Sequence, residues 1–236
     1  MERRDLLFNA LVAVTAIFFA YLIYFIFLET PPAQIEAGGI AQKIFYFHVP
    51  AAYAMYLSGV VCFIASAAYL VTPNDKRDAW ARAGAEVAVA FGAVMLISGP
   101  LWAKKAWGVY WAWEPRLVTT LLSVLIYIAV VVLRAFAGEG EAERKFAAAL
   151  GVLGTVNLPI IHYSVQKWGG VHPAVIGKGG GGLRHPDMRT ALFMGFAAMT
   201  LLAILLLLSR VQLAIAKARL GRAEEHAASL GLLDEA

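Results

Sequence analysis

Long apolar stretches separated by short polar segments dominate this chain. A helix that crosses a membrane needs about 20 consecutive, mostly apolar residues. Six stretches reach that length, and charges or Pro and Gly clusters bound them. Because lipid cannot satisfy backbone hydrogen bonds and no stretch has the alternation of a barrel strand, the pattern predicts a helical bundle. The predicted spans are residues 6–28, 44–71, 80–101, 117–136, 146–163 and 188–209.

The composition agrees with this interpretation. Hydrophobic residues make up 61% of the chain and charged residues 15%, against about 45–50% and about 25% in soluble proteins. The first stretch is too long for a signal peptide and has no small-residue cleavage site. A single cysteine, Cys62, excludes an intramolecular disulfide and a Cys-x-x-Cys site. We expect an all-α integral membrane protein with one six-helix domain over residues 1–210 and a tail over 211–236.

The distribution of Lys and Arg predicts the orientation in the membrane. Six spans place both termini on one side, and that side carries 12 of the 20 Lys and Arg residues. The positive-inside rule then assigns both termini to the cytoplasm and the loops 102–116 and 164–187 to the outside. The outer side carries only 4 of the 16 acidic residues. Its excess positive charge is typical of a surface that meets an anionic ligand.

Four of the five histidines fall on the predicted outer side: His48, His162, His172 and His185. Pro50 suits the first turn of the second span, which would place His48 just before a helix N-terminus. The positive end of that helix would disfavour protonation and leave a nitrogen able to bind a metal. A single interfacial histidine can simply bond headgroups or backbone. Four on one surface favour a ligand site.

Tryptophans cluster in the predicted outer loop. Four of the six lie within residues 102–113, namely Trp102, Trp107, Trp111 and Trp113. An aromatic belt at the membrane interface is one explanation. The other is a stacking surface for a large planar anion whose carboxylates pair with Lys104, Lys105 and Arg116. The residues alone leave both open.

Three segments, in order, carry a family resemblance. Residues 107–117 (Trp-Gly-Val-Tyr-Trp-Ala-Trp-Glu-Pro-Arg-Leu) resemble the tryptophan-rich signature of the haem-handling membrane proteins of cytochrome c biogenesis. Residues 43–53 (Lys-Ile-Phe-Tyr-Phe-His-Val-Pro-Ala-Ala-Tyr) resemble their first haem-ligand motif, and residues 158–172 resemble the segment that ends in their second ligand histidine. With six spans in this order, the chain is most similar to the cytochrome c maturation protein C, or haem exporter protein C, family over residues from about 40 to 210.

This resemblance implies that haem b binds at the outer face of a prokaryotic cytoplasmic membrane, between two axial histidines and the Trp-rich loop. The haem then passes to a membrane-anchored haem chaperone, cytochrome c maturation protein E. The chain would not be an enzyme. An ABC ATPase, a second multispan subunit and a small single-span subunit would complete a haem exporter complex in the bilayer.

The resemblance also assigns residues. His48 and His172 match the axial ligands and His162 a position that is not a ligand, while the Gly-rich stretch 177–182 keeps His185 as a rival ligand. Departures from the family pattern occur at Glu114, where Asp is usual, and at Pro115, Val118 and Thr119. The expected haem contacts or docking residues are Trp102, Trp107, Trp111, Trp113, Glu114 and Arg116. The candidate propionate contacts are Lys104, Lys105, Arg116, Lys178 and Arg184.

Other classes fit the sequence less well. A b-type cytochrome would need histidine pairs on both sides of about 30 Å of hydrocarbon, and a haem lyase relative would be longer with further intramembrane histidines. A solute transporter would carry ionisable residues in mid-span, whereas Arg82 and Glu86 lie near the predicted cytoplasmic end. The sequence has no Cys-x-x-Cys-His haem-attachment motif and no phosphate-binding loop. No nucleic-acid partner is expected.

Overall fold

The structure is a computed structural model that describes residues 3–34, 38–136, 140–170, 172 and 183–231. All regular structure in these residues is helical. Six helices are long and apolar enough to cross a membrane, so the predicted all-α fold with six spans is confirmed. They are α1 (Arg3–Tyr24), α2 (Phe45–Val71), α3 (Asp75–Trp107), α4 (Pro115–Phe136), α5 (Glu141–Trp168) and α6 (Pro186–Ser229).

Two short helical segments join α1 to the region before α2. A π-helix over Phe25–Glu29 ends the first span, and a 3-10 helix over Gly39–Ile44 leads directly into α2. Lys43 lies in this 3-10 segment, is buried, and donates from Nζ to the carbonyl oxygen of Phe27 at 3.0 Å. This bond ties the start of the second span to the end of the first.

The start of α2 differs from the sequence-based expectation. The helix begins at Phe45, so Pro50 lies inside it rather than in its first turn, and His48 is a helical residue rather than one that precedes the helix. The expectation about Pro50 is therefore wrong. The preceding 3-10 helix provides the helical start that Pro50 would otherwise mark.

Several helices extend beyond the apolar stretches that predict them. The third continues through Lys104 and Lys105 to Trp107 and ends at Gly108, whose φ of 76° is left-handed. Cations near a helix C-terminus are favourable because they face the negative end of the helix dipole. The first half of the predicted 102–116 loop is thus helical, and residues 108–114 connect α3 to α4. The last helix likewise continues to Ser229, well into the predicted tail.

Close packing holds the bundle together. The second helix packs against α3, α5 and α6, while α1 packs mainly against α6. A Cβ atom added at Gly84 of α3 would lie 2.6 Å from the backbone nitrogen of Cys62 in α2, so a glycine is required for this approach. Large apolar side chains are exposed on all six helices, as expected for surfaces that face lipid.

The two ends of the bundle carry different chemistry. At one end, which we call the charged end, α3, α4 and α5 meet through ion pairs from Arg134 to Asp78 (2.5 Å) and from Arg144 to Asp75 (3.0 Å). At the other, the histidine end, the start of α2 meets the last turns of α3, and the start of α4 meets the last turns of α5. The candidate site lies at the histidine end.

Candidate functional site

Residues far apart in the sequence meet at the histidine end. The His48 ring in α2 lies with Nδ1 2.9 Å from the Ser98 hydroxyl oxygen in α3. Arg116, at the start of α4, donates from Nη2 to the carbonyl oxygen of His162 in α5 at 3.1 Å. The structure therefore brings together segments that the sequence analysis singled out separately.

The hydrogen bonds of Ser98 favour one tautomer of His48. The Ser98 hydroxyl donates its one hydrogen to the carbonyl oxygen of Val94 at 2.7 Å, so its oxygen accepts from the Nδ1–H of His48. In a neutral imidazole the lone pair then lies on Nε2, a nitrogen that commonly binds metals when the other is held by a hydrogen bond. Gly99 leaves room for the ring, since an added Cβ would lie 3.1 Å from the Cε1 of His48.

His172 belongs to the same site but has a different hydrogen-bonding state. Its Nδ1 lies 3.4 Å from Nη1 of Arg116. Because a guanidinium group can only donate, this Nδ1 accepts and Nε2 carries the hydrogen. The backbone N–H of His172 donates to Oε2 of Glu114 at 3.2 Å, and its ring meets Trp107 edge-on with centroids 6.3 Å apart.

The clustered tryptophans form two edge-to-face pairs. Trp102 and Trp107 have ring centroids 5.3 Å apart at 82°, and Trp111 and Trp113 have centroids 5.9 Å apart at 76°. Such pairs are a favoured geometry of aromatic rings. The two rings of the second pair differ in exposure. Trp113 is 81% exposed, whereas the Nε1 atom of Trp111 is buried.

Two buried donors in residues 111–116 have no acceptor within the described part of the chain. They are Nε1 of Trp111 and Nε of Arg116. Nearly all buried polar atoms in folded proteins are hydrogen-bonded, and leaving one without a partner costs about 1–3 kcal/mol. Both donors belong to the short segment 111–116. This fits a site at which a ligand supplies the hydrogen-bond acceptor, such as a carboxylate.

The other candidate cations are less closely connected to the histidines. Lys104 donates from Nζ to the carbonyl oxygen of Gly108 at 2.9 Å and lies 5.3 Å from the centre of the Tyr110 ring. Lys105 and Arg184 are exposed, and Lys178 lies outside the described residues. Of the predicted propionate contacts that the structure describes, Arg116 bonds to His172.

The remaining histidines have other contacts. His185 is the N-cap of α6: its Nδ1 accepts from the backbone N–H of Asp187 at 3.3 Å, and its side chain is exposed. The ring of His162 is exposed and packs edge-on against Tyr163 with centroids 4.9 Å apart, so only its carbonyl oxygen joins the site.

Sequence reasoning missed Ser98 and Gly99. A serine that faces a histidine from a neighbouring helix leaves no spacing signal, because the two residues are 50 positions apart. The small residues Ser98, Gly99 and Pro100 interrupt the third apolar stretch. That interruption was the one sign in the sequence that something approaches α3 closely here.

The fold and the site together define a helical multispan membrane protein with histidine, tryptophan and arginine gathered at one end of the bundle. A family model described as Heme exporter protein C matches residues 2–226. The chain belongs to this family, which confirms the resemblance stated above.

Individual relatives agree with the family assignment. The chain is 34% identical over 183 residues to Heme exporter protein C of Bradyrhizobium diazoefficiens, covering 77% of this chain and 69% of that protein. It is 34% identical over 143 residues to Heme exporter protein C of Escherichia coli K12, covering 60% of this chain and 57% of that protein. It is 29% identical over 168 residues to a putative cytochrome c biosynthesis ccmC-like mitochondrial protein of Marchantia polymorpha, covering 71% of this chain and 70% of that protein.

Proposed function

We propose that this protein binds haem b at the histidine end, with His48 and His172 as axial ligands, and delivers it for cytochrome c maturation. Membership of the Heme exporter protein C family and the names of the relatives support a role in haem export. The observation that carries the proposal is the Ser98–His48 hydrogen bond, which leaves the free lone pair of His48 on Nε2, at the same end of the bundle as a second histidine, His172. Two neutral imidazoles are an established ligand pair for haem iron.

The donors of the site fit the rest of a haem molecule. Haem carries two propionate carboxylates, which accept hydrogen bonds, and a large flat ring. The buried donors of Trp111 and Arg116 match the carboxylates, since charge-assisted bonds are the stronger class. Trp107, which already meets the ring of His172, matches the porphyrin face. Lys104, Lys105 and Arg184 remain secondary propionate candidates, and His185 remains the rival ligand.

The two ligand histidines have different roles in this proposal. His48 holds its ligand nitrogen ready because Ser98 occupies the other one. His172 must release its present bond to Arg116, or exchange its proton, before Nε2 can bind iron. Engagement of Arg116 by a propionate would release His172 at the same time. One preorganised ligand and one exchangeable ligand suit a protein that transfers its haem to a partner.

Delivery would use the exposed part of the tryptophan cluster. Trp113 is 81% exposed and Tyr110 is 58% exposed, both in or beside the short connection between α3 and α4. Exposed aromatic rings are enriched where proteins meet partners. We assign this surface to docking of the haem chaperone, cytochrome c maturation protein E.

The remaining parts of the proposal concern the complex and the membrane. The protein would lie in the cytoplasmic (inner) membrane of a prokaryote as a multi-pass subunit with its site facing away from the cytoplasm. ATP hydrolysis would belong to an ABC ATPase partner, alongside a second multispan subunit and a small single-span subunit. This chain would then supply binding and delivery rather than catalysis.

Absorption spectra of the full chain, purified in detergent and loaded with haem, test the ligands. We expect His48→Ala and His172→Ala each to convert a six-coordinate low-spin spectrum toward a five-coordinate one, because each removes one nitrogen from the iron. His162→Ala is the matched control and should leave the spectrum unchanged. A wild-type protein that cannot be loaded with haem would overturn the proposal. A change in His185→Ala with none in His172→Ala would move the second ligand to His185.

A further inference from the structure

A shallow, open groove lies between α3 and α6, away from the histidine end. The groove has a net positive charge, because three cationic side chains and one carboxylate line it. The lining also has an apolar side. The residues are Arg82, Glu86, Arg210, Leu213, Ala214 and Lys217.

The single carboxylate is already engaged. Glu86 accepts from Nε of Arg82 at 3.1 Å and from Nε of Arg210 at 2.5 Å. Arg210 has two further guanidinium nitrogens that carry donors, and it makes no other ion pair or hydrogen bond within the described ranges. Lys217 adds a third positive charge. The groove therefore keeps an excess of positive charge, together with the remaining donors of Arg210.

The position of the groove along the helices places it at a membrane surface. Arg210 follows the first residue of α6, Pro186, by 24 residues, and Arg82 precedes the last residue of α3, Trp107, by 25. At a rise of 1.5 Å per residue, both arginines lie about 36–38 Å from the histidine end. Since the hydrocarbon core is about 30 Å thick, the groove lies at the headgroup level of the leaflet opposite the histidine end.

We propose that this groove binds the phosphate headgroup of an anionic phospholipid. Arginine forks pair well with phosphate oxygens, and basic pockets between membrane helices are a recognised way to hold acidic headgroups. Leu213 and Ala214 line the same groove, so the start of an acyl chain has an apolar surface beside the phosphate. Free inorganic phosphate would satisfy the cations but would gain nothing from that surface.

Native mass spectrometry of the full chain in detergent tests this proposal, with phosphatidylglycerol, phosphatidylcholine and inorganic phosphate as the added probes. We expect wild-type protein to retain phosphatidylglycerol in preference to phosphatidylcholine. Arg210→Gln combined with Lys217→Gln should weaken that retention by about tenfold or more. The matched control is Lys76→Gln combined with Arg219→Gln, which removes the same charge from exposed positions outside the groove.

A further variant controls for the possibility that the Arg210→Gln, Lys217→Gln protein misfolds. Lys217→Glu alone reverses an exposed charge that makes no pair with Glu86, and it should also lower phosphatidylglycerol retention without changing the melting temperature. Equal losses in both double variants would show diffuse attraction only and overturn the proposal. Two other results would overturn the proposal as well. One is that inorganic phosphate displaces all of the bound phosphatidylglycerol. The other is that Arg210→Gln combined with Lys217→Gln leaves phosphatidylglycerol retention unchanged while co-purifying subunits are lost.

Discussion

At the residue scale, the best-defined feature of the site is the orientation of one imidazole. If His48 binds haem iron as proposed, its hydrogen bond to Ser98 leaves Nε2 as the ligand nitrogen, and Ser98 is itself held by its bond to Val94. Residues that orient a metal ligand typically contribute 10- to 100-fold to metal affinity. Ser98 is therefore a positioning residue, although it would touch neither iron nor porphyrin in this arrangement.

Ser98→Ala should weaken haem binding by about tenfold or more, because the His48 ring then loses the acceptor that fixes its tautomer and orientation. Absorbance titration of the purified protein with haem measures this affinity. Ser58→Ala is the control, since Ser58 lies on the same helix as His48 and its hydroxyl bonds only its own helix, at the carbonyl oxygen of Ala54. Equal affinities for haem in the wild type and in Ser98→Ala would remove Ser98 from the site.

At the element scale, the tryptophan segment is partly helix and partly connection. Trp102 and Trp107 belong to the last turns of α3, while Trp111 and Trp113 belong to residues 108–114. The apolar pattern predicted the spans because burial in lipid demands an uninterrupted apolar stretch. It could not place the end of α3, because Lys, Ala and Trp are all compatible with a helix. The left-handed Gly108 ends this helix, and that conformation is a matter of local backbone geometry.

Replacing Trp107, Trp111 and Trp113 together by Leu distinguishes a ligand surface from a membrane belt. If these rings contact haem, we expect affinity or transfer to fall by about tenfold or more, taking about 1–3 kcal/mol per stacked ring by analogy with base stacking. Haem titration and transfer to the purified chaperone measure the effect.

Trp168→Leu is the control for the belt, because Trp168 is exposed at the same end and forms no ring contact with the cluster in the described structure. Expression and membrane insertion should stay normal in both variants. Unaltered haem content and transfer in the triple variant would return the tryptophans to a role as interface anchors.

At the scale of the whole molecule, the sequence predicted the number of helices and the segments that meet, but the side of the membrane stays a prediction. The charge difference of 12 against 8 predicts that both termini lie in the cytoplasm. The helix axes are compatible with either orientation. A contact such as Arg116 with His172 was also beyond sequence reasoning, because it depends on how α4 sits against the chain after α5.

Cysteine labelling of intact cells measures the orientation. We expect Tyr110→Cys to react with a membrane-impermeant thiol reagent from outside, and Lys76→Cys to react only after the membrane is opened. Both positions are exposed and lie at opposite ends of α3 or just beyond it. The native Cys62 is completely buried and gives little background. If only Lys76→Cys is labelled in intact cells, the predicted orientation in the membrane is the wrong way round.

The long-range bonds of the site have a consequence for how the protein is made. The bond between His48 and Ser98 joins residues 50 positions apart, and those of Arg116 to His162 and His172 span 46 and 56 positions. If His48 and His172 are the two ligands, a growing chain has its first ligand, the tryptophans of residues 102–113 and Arg116 well before the ribosome reaches His172. Until about three quarters of the chain is made, it would then offer only one of the two proposed ligands, so a truncated product would not hold haem in the six-coordinate form. A six-coordinate low-spin absorption spectrum would then show, in a single measurement, that the chain is fully synthesised and the bundle assembled.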